Sequence, residues 1–116
     1  MAVRRIVTNI ATDRLEAAKA FYGEILGMTI AMDLGWIVTF ATDVPTTPQI
    51  SVAAEGGSGT LVPDISIEVD NLEEVYQHAI AAGCPIEYGP AIEPWGVKRF
   101  YVRDPFGRLL NVLAHK

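Results

Sequence analysis

Asp64–Gly83, DISIEVDNLEEVYQHAIAAG, decides the fold. Its first six residues alternate. Ile65, Ile67 and Val69 fall on one face and Asp64, Ser66 and Glu68 on the other, the two-residue period of a half-buried strand. The period then lengthens: Leu72, Val75, Tyr76, Ala79 and Ile80 recur at helical spacing. Asp70-Asn71-Leu72-Glu73 has the form of a capping box, with Asp70 as N-cap and Glu73 three residues on. Gly83 stands just past the helix, where the chain needs a left-handed residue.

Working outward, the same strand-then-helix pattern occurs 57 residues earlier. Ile6–Ala11 reads as a strand, Asp13-Arg14-Leu15-Glu16 as a second capping box, and Leu15, Ala18, Tyr22 and Ile25 as a buried stripe stopped by Gly27. Three strands follow each helix. They are Met28–Met32, Trp36–Ala41 and Gln49–Ala54 in the first half, and Pro85–Tyr88, Lys98–Arg103 and Leu109–Ala114 in the second. Phe40 and Pro45 match Phe100 and Pro105 at an offset of 60 residues. In the last of these turns, Asp104 can accept from backbone N–H groups, Pro105 pre-sets φ, and Gly107 occupies a position a side chain would hinder.

The fold class is therefore α+β: two tandem βαβββ modules forming a curled mixed sheet around a cavity. The modules span 1–55 and 61–116 of a single domain, and the glycine-rich stretch 56–60 reads as a flexible connector.

At 116 residues and 12.6 kDa, half of them hydrophobic, the chain is long enough to bury a core. Nine basic against fourteen acidic residues give a net charge of −5, which argues against a nucleic-acid surface. The N-terminal stretch MAVRRIVTNIATDR has no apolar run behind its arginines, and no membrane span is evident, so no membrane partner is expected. The one cysteine, Cys84, cannot form an intrachain disulfide, which fits a reducing cytoplasm. It follows a helix C-terminus, where a thiolate is disfavoured, so it reads as a small core residue rather than a nucleophile. No nucleophile-elbow or Walker loop occurs.

KAFYGEILGM (19–28), DNLEEVYxxAxxAG (70–83) and PWGVKRFYVRDPFGRLLNVL (94–113) together resemble the vicinal oxygen chelate superfamily. That group includes glyoxalase I, bleomycin resistance proteins and extradiol dioxygenases. The resemblance implies a cavity whose metal ligands come from the first and last strands of each module. Those positions fall on Val7, Ser51, Asp64 and Asn111, where metal-dependent members typically carry His, Glu or Gln. Valine cannot ligate, serine and asparagine are weak neutral donors, and only Asp64 is a good ligand. No metal and no other cofactor is therefore expected. Asp64 with Glu68 would bind Mg²⁺ or Ca²⁺ only loosely. His78 reads as a helix-surface residue. His115, at the chain end, reads either as solvated or as facing the cavity mouth.

The primary reading is a small-molecule binding protein of the bleomycin resistance type. Its ligand site would draw on Val7, Asn9, Ser51, Asp64, Ser66, Glu68, Trp95, Arg99, Tyr101 and Asn111. Trp95, in a Pro-Trp-Gly loop, is a candidate clamp for a planar guest, whereas Trp36 reads as core, as does the Phe21-Tyr22 pair. Lys98 and Arg99 point to opposite faces of their strand, so at most one faces the cavity. Two alternatives stand beside this reading. One is a divalent-metal lyase, isomerase or dioxygenase acting on vicinal oxygens. The other is a metal-free acid–base enzyme with Asp64 or Glu68 as the catalytic carboxylate. The resemblance also implies a homodimer.

Overall fold

The computed structural model describes residues 3–116; Met1 and Ala2, at the head of the stretch read for a leader, lie outside them. The described residues form eight strands and two helices, and the chain divides into two compact units. One unit is Val7–Val62. The other joins the residues up to Ile6 with Pro63–Lys116.

In the first unit, strand β1 (Val3–Ala11, its latter part) leads to helix α1 (Leu15–Ala18), which continues as a π-helical stretch (Lys19–Ile25). Strands β2 (Thr29–Asp33), β3 (Ile37–Ala41) and β4 (Gln49–Ala53) follow. The order is β2-β3-β4-β1, antiparallel except for the parallel β1–β4 pair. Val38, Phe40 and Val52 bury one sheet face against Ala18, with Leu15, Tyr22, Met28 and Ile50 packed around them.

The second unit holds β5 (Ile65–Val69), α2 (Leu72–Ala81), β6 (Ile86–Glu93), β7 (Val97–Arg103) and β8 (Leu109–His115). Its order is β5-β8-β7-β6, with β5 parallel to β8. The core consists of Val69, Leu72, Phe100, Val102 and Val112, against which Ile67, Val75, Tyr76 and Cys84 pack.

The two βαβββ modules thus share one topology, and the repeat reaches down to register. Thr8 pairs with Ile50 and Asn9 with Ser51; at the same offsets Ile65 pairs with Leu110 and Ser66 with Asn111. Gly27 and Gly83 both close their helices at positive φ, 73° and 74°.

Three local expectations are corrected. Neither capping box forms: the N-caps are Arg14 and Asn71, one residue later than Asp13 and Asp70, and neither makes a side-chain cap bond. Both caps share nearly the same backbone (φ −131°, ψ 69° and φ −136°, ψ 60°), so each helix starts one residue further along and the aspartate is left outside it. Ile25 is 71% exposed rather than part of the stripe. Its helix widens, with an i→i+5 bond from Leu26 N–H to Phe21 C=O and a wider closing bond from Met28 N–H to Tyr22 C=O, which rotates the last residues off the 3.6-residue period. For the same reason Phe21 is half exposed, and only Tyr22 of that pair packs onto Phe40, ring centroids 5.4 Å apart.

The third correction bears on function. The strand expected to end at Tyr88 runs on to Glu93. Gly89-Pro90 looks like a strand breaker, but β6 is an edge strand, where a missing N–H goes unpunished, and its pairing with β7 shifts register between Tyr88 and Ala91 to pass the proline. Gly89, at φ 77°, lies so close to β7 that an added Cβ would stand 2.6 Å from the Arg99 carbonyl oxygen.

Candidate functional site

The pleat of the second unit sends Phe100, Val102 and Val112 to the α2 side, so the alternate residues form a separate, polar face. The strand register sets them in rows. Ser66, Asn111, Tyr101 and Tyr88 stand side by side across β5, β8, β7 and β6. A second row carries Glu68, Leu113, Arg99 and Ala91. Lys98, of opposite parity, reaches Glu73 on α2 at 2.7 Å.

Arg99 is the centre of this face. Its side chain is 3% exposed, and its Nε donates to Glu93 Oε2 at 2.6 Å. Nη1 donates to the Tyr101 hydroxyl at 3.0 Å, and the Tyr88 hydroxyl donates to Glu93 Oε2 at 2.8 Å. The guanidinium carbon lies 5.3, 5.0 and 4.9 Å from the ring centroids of Tyr88, Trp95 and Tyr101. A buried ion pair keeps its charges only when close geometry and further hydrogen bonds replace the lost water, and both conditions are met here. Three aromatic faces add cation–π attraction in a desolvated setting.

Asn111, 8% exposed, donates from Nδ2 to Ser66 Oγ at 3.1 Å, while its Oδ1 is buried with no hydrogen-bond partner. Glu68 pairs with Arg5 (3.1 Å) and with His115 Nδ1 (2.9 Å) on the same face. Asp64, just ahead of β5, accepts the Leu109 N–H through Oδ2 at 2.9 Å, while its own N–H reaches the Leu109 carbonyl. Nearby, two hydrogen bonds from Arg103 hold the Glu87 carboxyl below the ordinary carboxylate range. The same contact, with a smaller contribution from Asp64, raises Arg103.

In the first unit the equivalent face is small and neutral. The hydroxyls of Thr39 and Ser51 bond at 2.7 Å, both buried, and Asn9 stands beside Ser51 in register. Val7 is buried and Trp36 half-buried.

The structure thus brings Ser66, Glu68, Arg99, Tyr101 and Asn111 onto one face, with Trp95 over Arg99, and it places Val7, Asn9 and Ser51 in the other unit. Sequence reasoning missed Glu93 and Tyr88. The signal was present in Glu93-Pro94-Trp95-Gly96-Val97: a two-strand turn there sets Glu93 opposite Val97 and on the Arg99 face.

The sequence profile of the Glyoxalase/Bleomycin resistance protein/Dioxygenase superfamily matches residues 4–112. The chain belongs to that superfamily. No curated protein matches it. Among solved structures, it resembles one described as an NAD-dependent benzaldehyde dehydrogenase from Legionella pneumophila, with 15% identity, a TM-score of 0.76, and 97% and 100% of the two chains covered. A superfamily member from Vibrio splendidus 12B01 shares 18% identity at TM-score 0.63, with 95% and 97% coverage. Methylmalonyl-CoA epimerase from Mycobacterium tuberculosis shares 15% identity at TM-score 0.64, with 98% and 87% coverage. At such identities these likenesses establish the fold alone.

Many superfamily members hold a metal, and the residues at the corresponding positions here do not suit one. Val7 has no donor atom, Ser51 is bonded to Thr39, Asp64 grips a backbone N–H, and Asn111 is a neutral amide turned to Ser66. Among the described residues no three His, Cys, Asp or Glu side chains gather closely enough to share an ion.

Proposed function

We propose that this chain binds a small, planar organic molecule on the polar face of its second unit, without a metal at the usual superfamily positions. The observation that carries the reading is the Glu93–Arg99 pair, buried and ringed by Tyr88, Trp95 and Tyr101. A fold needs no such cluster for stability, since a packed apolar cluster would serve as well or better. What the cluster supplies is a rigid wall of oriented rings and hydroxyls, the lining typical of a small-molecule site. Asp64 and Glu68, the carboxylates considered for acid–base work, are engaged by Leu109 and by Arg5 and His115 respectively, which supports positioning over proton transfer. A cytoplasmic homodimer completes the proposal. Edge strand β2, with Ile30 and Met32 exposed, offers a second copy an apolar strip to cover.

The test is native mass spectrometry of freshly purified protein, followed by titration of chelator-treated protein with an aromatic dye. Undiminished dye affinity after chelation supports the reading. Stoichiometric Zn, Ni, Fe or Mn whose removal abolishes binding sinks it.

A further inference from the structure

Four large apolar side chains stand exposed on the helix side of the first unit: Phe21 at 48%, Ile25 at 71%, Leu26 at 56% and Ile30 at 47%. They are neighbours. The Leu26 N–H bonds to the Phe21 carbonyl, so Phe21, Ile25 and Leu26 share the last, widened turn of the helix. The Phe21 ring lies 5.2 Å from that of Tyr22, and Tyr22 packs on Phe40. Ile30, directly across from Phe40 on edge strand β2, carries the same surface to the rim of the sheet.

The second unit shows that the fold does not require this surface. Where its helix closes Ala81-Ala82-Gly83, the first closes Ile25-Leu26-Gly27. Edge strand β6 carries Pro90, which discourages pairing with another chain; 60 residues earlier, β2 carries Ile30. The widened turn contributes directly. By leaving the 3.6-residue period it turns Ile25 and Leu26 away from the core, and such turns gather at functional sites.

Size and charge favour self-pairing. At about 200 Å² for a large side chain fully exposed, the four offer about 400 Å² of apolar surface per copy, close to the apolar share of a standard interface of about 800 Å² per partner. Like charges brought face to face would oppose the meeting of two identical surfaces. Lys19, beside this one, is matched within the chain by Glu16 and Asp33, each at 3.3 Å.

We propose that a second copy of this chain docks on this face, about a twofold axis that brings each Ile25-Leu26 turn against the other. This rests on the homodimer proposed above and adds the face that forms it and the π-helical turn that builds that face.

The test is sedimentation equilibrium of the full chain from about 1 to about 100 μM, beside Ile25→Glu, Leu26→Glu and a control in the second unit, Ile92→Glu. Ile92 is 67% exposed on β6. Circular dichroism checks that each variant is folded, and if one of the first two is not, the other decides. We expect a dimer that Ile25→Glu or Leu26→Glu dissociates, raising its dissociation constant at least about a hundredfold, because the unpaired charge is buried twice across the axis. Ile92→Glu should pair as the unaltered chain does. A dimer untouched by both first-unit variants, or broken by Ile92→Glu instead, overturns the face and leaves the homodimer standing. A monomer throughout the range, alone or with a different protein bound here, overturns both and leaves the dye titration to judge ligand binding by itself.

Discussion

The Glu93–Arg99 pair permits a sharp test, because cutting it from one side or from both should give opposite outcomes. Replacing Arg99 with Met strips Glu93, 4% exposed in its side chain, of a salt bridge of 2.6 Å while the Tyr88 hydroxyl still donates to it. Glu93→Met leaves the guanidinium buried with its acid gone. Breaking a buried pair from one side costs about 3–5 kcal/mol, a large part of the roughly 5–15 kcal/mol that holds a domain of this size. Removing both charges spares that penalty. What the double variant loses is one partner each for the Tyr88 and Tyr101 hydroxyls, at about 1 kcal/mol apiece. Glu93→Met/Arg99→Met should therefore cost about 2 kcal/mol in total, less than either single change and far below their sum. Urea unfolding of all four proteins, with a common slope, measures this. If each single variant loses under about 1 kcal/mol, or if the two losses simply add, the pair is not the desolvated unit argued for here.

Four further outcomes are expected. Phe100→Ala, which empties the centre of the second core, should cost about 3–5 kcal/mol by denaturant unfolding, and Phe40→Ala should do the same in the first unit. Gly89→Ala should destabilise by more than about 2 kcal/mol, since it adds a Cβ against the Arg99 carbonyl at positive φ; it should also perturb the near-ultraviolet signal of the neighbouring tyrosines. Asp64→Ala, which strips the Leu109 N–H of its side-chain acceptor, should cost about 1–2 kcal/mol, whereas Asp64→Asn should retain most of it. The Glu87 carboxyl has a folded pKa below its ordinary value of 4.5, so its contribution is complete above that value and is lost as pH falls through the lower folded one. Glu87→Gln should accordingly lower stability near neutrality, converge with the unaltered protein at low pH, and so flatten the acid limb of a stability-versus-pH profile.

The duplicated architecture was legible because period and punctuation repeat: the alternation of Asp64–Val69 and the two stop glycines form as read, and the helical stripe packs through Leu72, Val75, Tyr76 and Ala79, while Ile80, expected in it, is 47% exposed at the last turn. Details governed by a single backbone step were not. The caps moved by one residue because helix entry is set by φ and ψ at Arg14 and Asn71, which composition does not encode. The π-helical widening that exposes Ile25 has no residue signature at all. The Glu93 side of the ion pair was hidden by Pro90, a strand breaker everywhere except on an edge, and edge position is a property of the whole sheet. Arg99, Tyr101, Asn111 and Trp95 were visible as residue types and parity, but the identity of the Arg99 partner was not.

The two-residue pleat carries a consequence for how such a chain can change. Phe40 and Phe100, equivalent in the repeat, are both wholly buried against their helices. The residues just before them, Thr39 and Arg99, share neither size nor charge, yet each finds its partner on the other side of its sheet. A strand of this kind keeps two ledgers, with even steps answering to the helix and odd steps to the opposite face. Substitution can rewrite the odd register in one copy while the other copy, and the scaffold beneath both, stays as it was.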